Sequence, residues 1–195
     1  PLSIDGKTIF SAFLHDITER KQVEAIREHE ATHDPLTGLL NRRGMFDLLS
    51  QAIARVKRTR ASLALLFIDL DGFKQINDTH GHEAGDAVLR EVAARLQASI
   101  RQTDTAARLG GDEFTVILEN IKHGISDANM LAQKILETLQ HPIQLDSVTA
   151  TISASIGISM HHPYDERSAD QLVNAADSAM YTAKHAGKNQ VCVHK

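Results

Sequence analysis

Four acids stand where apolar sequence breaks off: Asp69 and Asp71 in "FIDLD", and Asp112 and Glu113 in "RLGGDEF". Asp69 follows "LALLFI", which reads as the end of a strand buried on both faces. A carboxylate there is costly to bury alone, so it is exposed, hydrogen-bonded or holding a cation. Gly110–Gly111 reads as a two-residue hairpin turn between "DTAAR" with Leu109 and the β-forming "FTVILE". On the hairpin alone a solvated turn is an equal reading. If the two strands are neighbours, the carboxylates converge at one edge of a sheet as an all-oxygen site of the kind Mg²⁺ prefers. Two such ions about 3.5–4 Å apart activate an attacking oxygen and stabilise a leaving one in phosphoryl chemistry.

The elements that must position these acids alternate. "DPLTGLLNRRGMFDLLSQAIARVKRTR" opens on turn residues and continues as an amphipathic helix with Phe46, Leu49, Ile53 and Val56 on one face. "SLALLFIDLD" is the buried strand, "GFKQINDTHG" a short helical piece and "AGDAVLREVAARLQASIR" a long helix, for which Asp86 reads as the N-cap. After the hairpin, "SDANMLAQKILETL" is a helix, "VTATISASIGIS" a strand, "SADQLVNAADSAMYTAKHAGK" a helix and "QVCVHK" a last strand. The fold class expected is α/β, a mixed central sheet flanked by helices.

Upstream, Asp5–Gly6 reads as a turn and Ile9 to Ile17 as an alternating strand; Thr18 is a helix N-cap, with Val23 and Ile26 at helical spacing. A start at Pro1 suggests a piece of something longer. At 195 residues, 42% apolar and 24% charged, the chain suits one domain and an appendage. The net charge of −4 argues against nucleic acid or an anionic membrane as main partner. Lone Cys192 excludes an internal disulfide and a cysteine-rich metal site, and fits a reducing, cytoplasmic compartment. No apolar run is long enough to cross a bilayer. His80 and His82 flank Gly81 in a way that suggests a transition metal, yet the remaining nine histidines are scattered without ligand spacing, and both read as structural.

In "DPLTGLLNRR", "FIDLDGFKQINDTHGHEAGD", "RLGGDEF" and "AADSAMYTAKHAGKNQV", taken in order, the chain resembles the GGDEF family of diguanylate cyclases from about Asp34 to Lys195. The "DITERK" segment resembles the end of a PAS sensor domain running into a signalling helix. The organisation implied is residues 1–18 as the end of a PAS-like domain, 19–33 as a linker helix and 34–195 as the cyclase domain. The resemblance implies a fold similar to the nucleotidyl cyclase and polymerase palm. It also implies condensation of two GTP into cyclic di-GMP and two pyrophosphates, two Mg²⁺ per site with Mn²⁺ as a substitute, and a homodimer that brings two sites face to face. A catalytically silent receptor for GTP or cyclic di-GMP is the alternative, and it is disfavoured by intact acids. A larger enzyme with a degrading domain beyond Lys195 is a second alternative, and these 195 residues carry no motif of a cyclic di-GMP phosphodiesterase.

Matched residue by residue, the family pattern puts metal at Asp69, the Leu70 carbonyl, Asp112 and Glu113. Glu113 also serves as acceptor of the 3′-hydroxyl proton, and Asp71 lies in the motif with a less defined role. Phosphates fall to the N–H groups near Phe73, to Lys74, and to Lys184 and Lys188 of the last helix. An arginine is common where Lys188 stands, so the planar fork is lost while the charge is kept. Asn77 and Asp86 match the guanine contacts. An aspartate accepts from guanine N1–H and its amine and repels the bare N1 of adenine, which favours GTP over ATP. "RQTD", with Arg101 nine residues ahead of Gly110, resembles the family's inhibitory product site, in which Arg101 and Asp104 hold cyclic di-GMP.

Overall fold

The computed structural model describes residues 2–4, 7–9, 29–145 and 148–194. The chain divides into residues 1–30 and residues 31–195. In the first unit β1 (Leu2–Ile4) and β2 (Lys7–Ile9) pair antiparallel on either side of Asp5–Gly6. The strand expected to run on to Ile17, the Thr18 cap, Val23 and Ile26 fall outside the described residues, as does the linker helix except for residues 29–32, which are helical.

The second unit is built around β3 (Ser62–Asp71), whose residues Leu63 to Leu70 are all buried, as its near-continuous apolar sequence requires of a central strand. Its neighbours are β5 (Glu113–Ile121) and β8 (Ser153–His161), both antiparallel; β4 (Thr105–Gly110) lies outside β5, and β9 (Gln190–Val193) runs parallel to β8. Alternation along β3 divides the core in two. Ala64, Leu66, Ile68 and Leu70 pack with α2 (Phe73–His80), α3 (His82–Ser99) and α4 (Ile125–Leu139). Leu63, Leu65 and Phe67 pack with α1 (Arg42–Thr59) and α5 (Ala169–His185). Asp69 and Asp71 continue this second series, so the period of the strand turns both acids toward the α1/α5 layer. Helix α5 starts on a Ser168 capping box and lies directly on β8, where a Cβ on Gly157 would overlap the Ala176 carbonyl oxygen and the Met180 nitrogen.

The mixed α/β sheet with flanking helices is the architecture expected, and four local details differ. The hairpin turn is Gly111–Asp112, because Gly110 still pairs with Glu113; Gly111 supplies the left-handed residue at φ 53°. Helix α3 starts at His82 after Gly81, so Asp86 lies in its second turn and is not its N-cap. The buried face of α1 is Met45, Leu49, Ala52 and Val56, while Phe46 and Ile53 flank it half-buried. The strand expected over "VTATISASIGIS" is two: β7 (Val148–Ala150), which pairs with β6 (Ile143–Leu145), and β8.

Candidate active site

At the end of β3 the register places Asp69 directly opposite Glu113 on β5, and the Leu70 N–H donates to the Asp112 carbonyl at 3.2 Å. The neighbouring-strand condition for convergence is therefore met. Asp69 is 6% exposed, and its Oδ1 lies 2.6 Å from Lys184 Nζ on α5, an ion pair in which the oxygen has no donor in hydrogen-bond geometry. Burial pushes the Asp69 carboxyl above the ordinary carboxylate range; Lys184 draws it down, and the neighbouring charges of Asp112 and Glu113 add to the rise. Among the described residues no three His, Cys, Asp or Glu side chains gather closely enough to hold a metal ion. The donors still suit a hard divalent cation: they are oxygens only, and the innermost is buried and crowded by like charge.

Beyond Asp71 the chain turns through Gly72 and enters α2. Gly72 has no side chain with which to cap the helix, and its carbonyl accepts from the N–H groups of Gln75 and Ile76. The N–H groups of Phe73 and Lys74 thus open the helix without intrahelical partners, a natural anion seat two and three residues along the chain from Asp71. Lys74 is exposed; Phe73 is buried and anchors the helix in the core. Asn77 and Asp86 belong to consecutive helices whose close approach is set by Gly85, where a Cβ would overlap the Asn77 side-chain oxygen. Both are half-buried, and no hydrogen bond or ion pair to another described residue occupies the Asp86 carboxylate.

Asp71 shares the strand face of Asp69 but is taken up by other partners. Its Oδ1 accepts from Ser155 Oγ at 2.9 Å, and its Oδ2 from Ser153 Oγ at 3.2 Å and the Asn189 N–H at 3.0 Å. Lys188, expected on the last helix, lies three residues beyond its end at His185, because Gly187 and the two residues after it have positive φ, 62° at Lys188 and 45° at Asn189. Sequence reasoning also missed two arginines. Arg42, the first residue of α1, stands 3.6 Å from Glu113. Arg108 donates to both Asp34 oxygens at 3.0 and 3.1 Å and to the Gly111 carbonyl at 3.0 and 2.9 Å, tying "DPLTG" to the hairpin tip. Partners 74 residues apart leave no local signal.

Arg101 and Asp104 lie apart from this group. They form a turn in which the Arg101 N–H donates to Asp104 Oδ2 at 3.2 Å and the Asp104 N–H to the Arg101 carbonyl at 3.0 Å. They line a cavity of about 310 Å³ with Leu118, Met130, Leu131 and Lys134, the last another residue not foreseen. The length of β4, roughly 20 Å at about 3.3 Å per residue, separates that turn from the hairpin tip.

The class is thus an α/β domain that offers carboxylates for a cation on one strand end and a helix start for phosphate beside it. The chain belongs to the GGDEF family: the family model "Diguanylate cyclase, GGDEF domain" matches residues 31–190. It is 46% identical over 162 residues to the bifunctional diguanylate cyclase/cyclic di-GMP phosphodiesterase MucR of Pseudomonas aeruginosa, covering 83% of this chain and 23% of that protein. It is 44% identical over 161 residues to the diguanylate cyclase TpbB of the same organism, covering 82% of this chain and 37% of TpbB. The chain therefore spans well under half of these relatives. A crystal structure of a sensory box/GGDEF family protein from Caulobacter crescentus matches with a TM-score of 0.76 at 45% identity, over 80% of this chain and 99% of that one. Among the described residues no helix is long and apolar enough to cross a membrane.

Proposed function

We propose that this domain is a diguanylate cyclase, condensing two GTP into cyclic di-GMP and two pyrophosphates in a homodimer. The observation that carries the reading is the facing pair Asp69 and Glu113 beside the uncapped start of α2. The triphosphate is bound by the Phe73 and Lys74 N–H groups, the Lys74 side chain and the lysines Lys184 and Lys188. Asn77 and Asp86 hold the guanine, with Asp86 accepting from N1–H and the exocyclic amine. Asp69, Glu113, Asp112 and the Leu70 carbonyl would hold Mg²⁺, two ions per site or Mn²⁺ in their place, which when bound supplies charge stabilisation for the phosphoryl transfer. Glu113 takes the proton of one nucleotide's 3′-hydroxyl as that oxygen bonds to the α-phosphorus of the other. The bond from that phosphorus to the β-bridging oxygen breaks, and pyrophosphate leaves. Each domain binds one GTP, so the reaction requires two copies face to face.

Arg101 and Asp104 form the site at which the product inhibits. The cavity that they share with Lys134 supports this, because a guanidinium, an ammonium and a carboxylate there match phosphates and a guanine edge. A PAS-like element over residues 1–18 and a linker helix over 19–33 would set how the two copies meet in the cytoplasm. Purified protein with GTP and Mg²⁺ is expected to release pyrophosphate and form cyclic di-GMP. Binding of GTP without any product at high protein concentration would favour the silent receptor instead.

A further inference from the structure

The two acids at the end of β3 have different partners, and Asp71 has no place in the chemistry just described. They point from the same face of the strand to the same downstream segment. Asp69 meets Lys184 in the last turn of α5, and five residues later Asp71 receives the Asn189 N–H. Between them the chain leaves the helix in a conformation that L-residues rarely adopt, with Gly187 at φ 120°, Lys188 at 62° and Asn189 at 45°. Two consecutive non-glycine residues at positive φ are costly, roughly 1–2 kcal/mol each, and persist only where surrounding contacts fix them. Three contacts fix them here. The Lys188 N–H donates to the Ala183 carbonyl at 3.1 Å, Gln140 Nε2 donates to Asn189 Oδ1 at 2.8 Å, and the Asp71 carboxylate holds the Asn189 N–H. The last contact is charge-assisted and is itself oriented by the Ser153 and Ser155 hydroxyls.

The geometry points to Asp71 as a positioning residue for nucleotide phosphates: it holds the turn after α5 in its left-handed form and so fixes Lys188, and with it the end of α5 that carries Lys184. This rests on the reading of the two lysines as phosphate ligands. It assigns Asp71 neither to the cation nor to the base. Without its carboxylate the turn relaxes toward ordinary φ, and the lysines lose their fixed relation to α2 while Asn77 and Asp86 stay in place.

The test compares two probes on the purified protein by calorimetry, GMP and a GTP analogue with a methylene α–β bridge, which cannot release pyrophosphate. Wild type is expected to bind the analogue more tightly than GMP. Asp71→Ala is expected to lower that preference about tenfold while the Kd for GMP changes little, and Asp71→Asn, which keeps an oxygen acceptor for the Asn189 N–H, to restore most of it. Melting curves accompany each variant. A preference that survives Asp71→Ala unchanged, or GMP and analogue affinities that fall together, would overturn the positioning role and leave the site reading intact. A wild type with no preference for the triphosphate would overturn the site reading and this inference with it. Should Asp71→Ala not fold, Ser155→Ala, which removes one donor to Asp71, is expected to lower the preference about threefold, and an unchanged ratio would count against the proposal.

Discussion

Asp69 is held in a state that its surroundings disfavour. Its carboxyl is raised by burial and by the charges of Asp112 and Glu113, so the folded protein loses stability as pH climbs from the unfolded carboxylate range through the raised value. Asp69→Asn is therefore expected to abolish cyclic di-GMP formation while the metal-free variant melts no lower than wild type at pH 7, since half-buried Lys184 can turn to water. Mg²⁺ is expected to raise the melting temperature of the wild type and to leave that of the variant unchanged, and scanning calorimetry with and without Mg²⁺ measures both. A variant that melts well below wild type would show that the Lys184 contact outweighs the burial. Both acids of "DLD" were legible in the sequence as site candidates. That one faces a lysine and the other two serines and a backbone N–H was not, because those partners lie 82 to 118 residues downstream and meet β3 only when the sheet forms.

The hairpin is the element on which the site turns, and its tip is held from outside by Arg108. This side chain and Asp34 are 11% and 18% exposed, so their pairing is sheltered from solvent. Thr37 and Arg108 donate to the Asp34 carboxylate and hold it below the ordinary range in spite of burial. A depressed carboxyl lends stability that is complete above its unfolded value and lost as pH falls through the folded one. Arg108→Ala is expected to cost about 2–4 kcal/mol in urea unfolding at pH 7 and to depress turnover through a loosened tip. The difference from wild type should begin to shrink as pH falls through about 4, the unfolded value, and go on shrinking through the lowered value at which Asp34 takes up its proton in the wild type.

A second acid-sensitive group lies at the far end of β8. His161 is fully buried with neither ring nitrogen in a hydrogen bond, Nδ1 being 3.4 Å from Asp165, and burial holds its pKa below the usual value against the pull of Asp165. Its protonation favours the unfolded chain, so melting temperature should already decline as pH drops from about 6.5, and His161→Leu should flatten that part of the profile. The long elements were readable from their patterns, β3 from its apolar run and α4 and α5 from their spacing. The turn was misplaced by one residue because either glycine can supply a left-handed conformation, and only the pairing of Gly110 with Glu113 decides between them. Strands β6 and β7 span three residues each, too short for any period to be seen.

Across the whole molecule the hairpin strands connect two regions. The acids stand at its tip, and Arg101 and Asp104 stand near its base, beside Leu118 of β5. An occupant of that cavity reaches no carboxylate of the tip, so product bound there would act on how two copies approach each other. Arg101→Ala is expected to keep the initial rate and lose inhibition by added cyclic di-GMP in progress curves, and equal inhibition of both proteins would remove the site. Rates that rise more steeply than protein concentration would accompany a dimeric reaction.

The spacing between the sheet and its α5 layer rests on a missing methyl group. At Gly157 helix and strand backbones meet with no room for a Cβ, so any other residue there would act as a shim, lifting α5 away from β8. Since β8 is also the neighbour of β3, such a wedge would open the gap between Lys184 and Asp69 from a point one to two turns of helix away. The thickness of the protein at one backbone crossing thus sets how closely that lysine and that carboxylate meet.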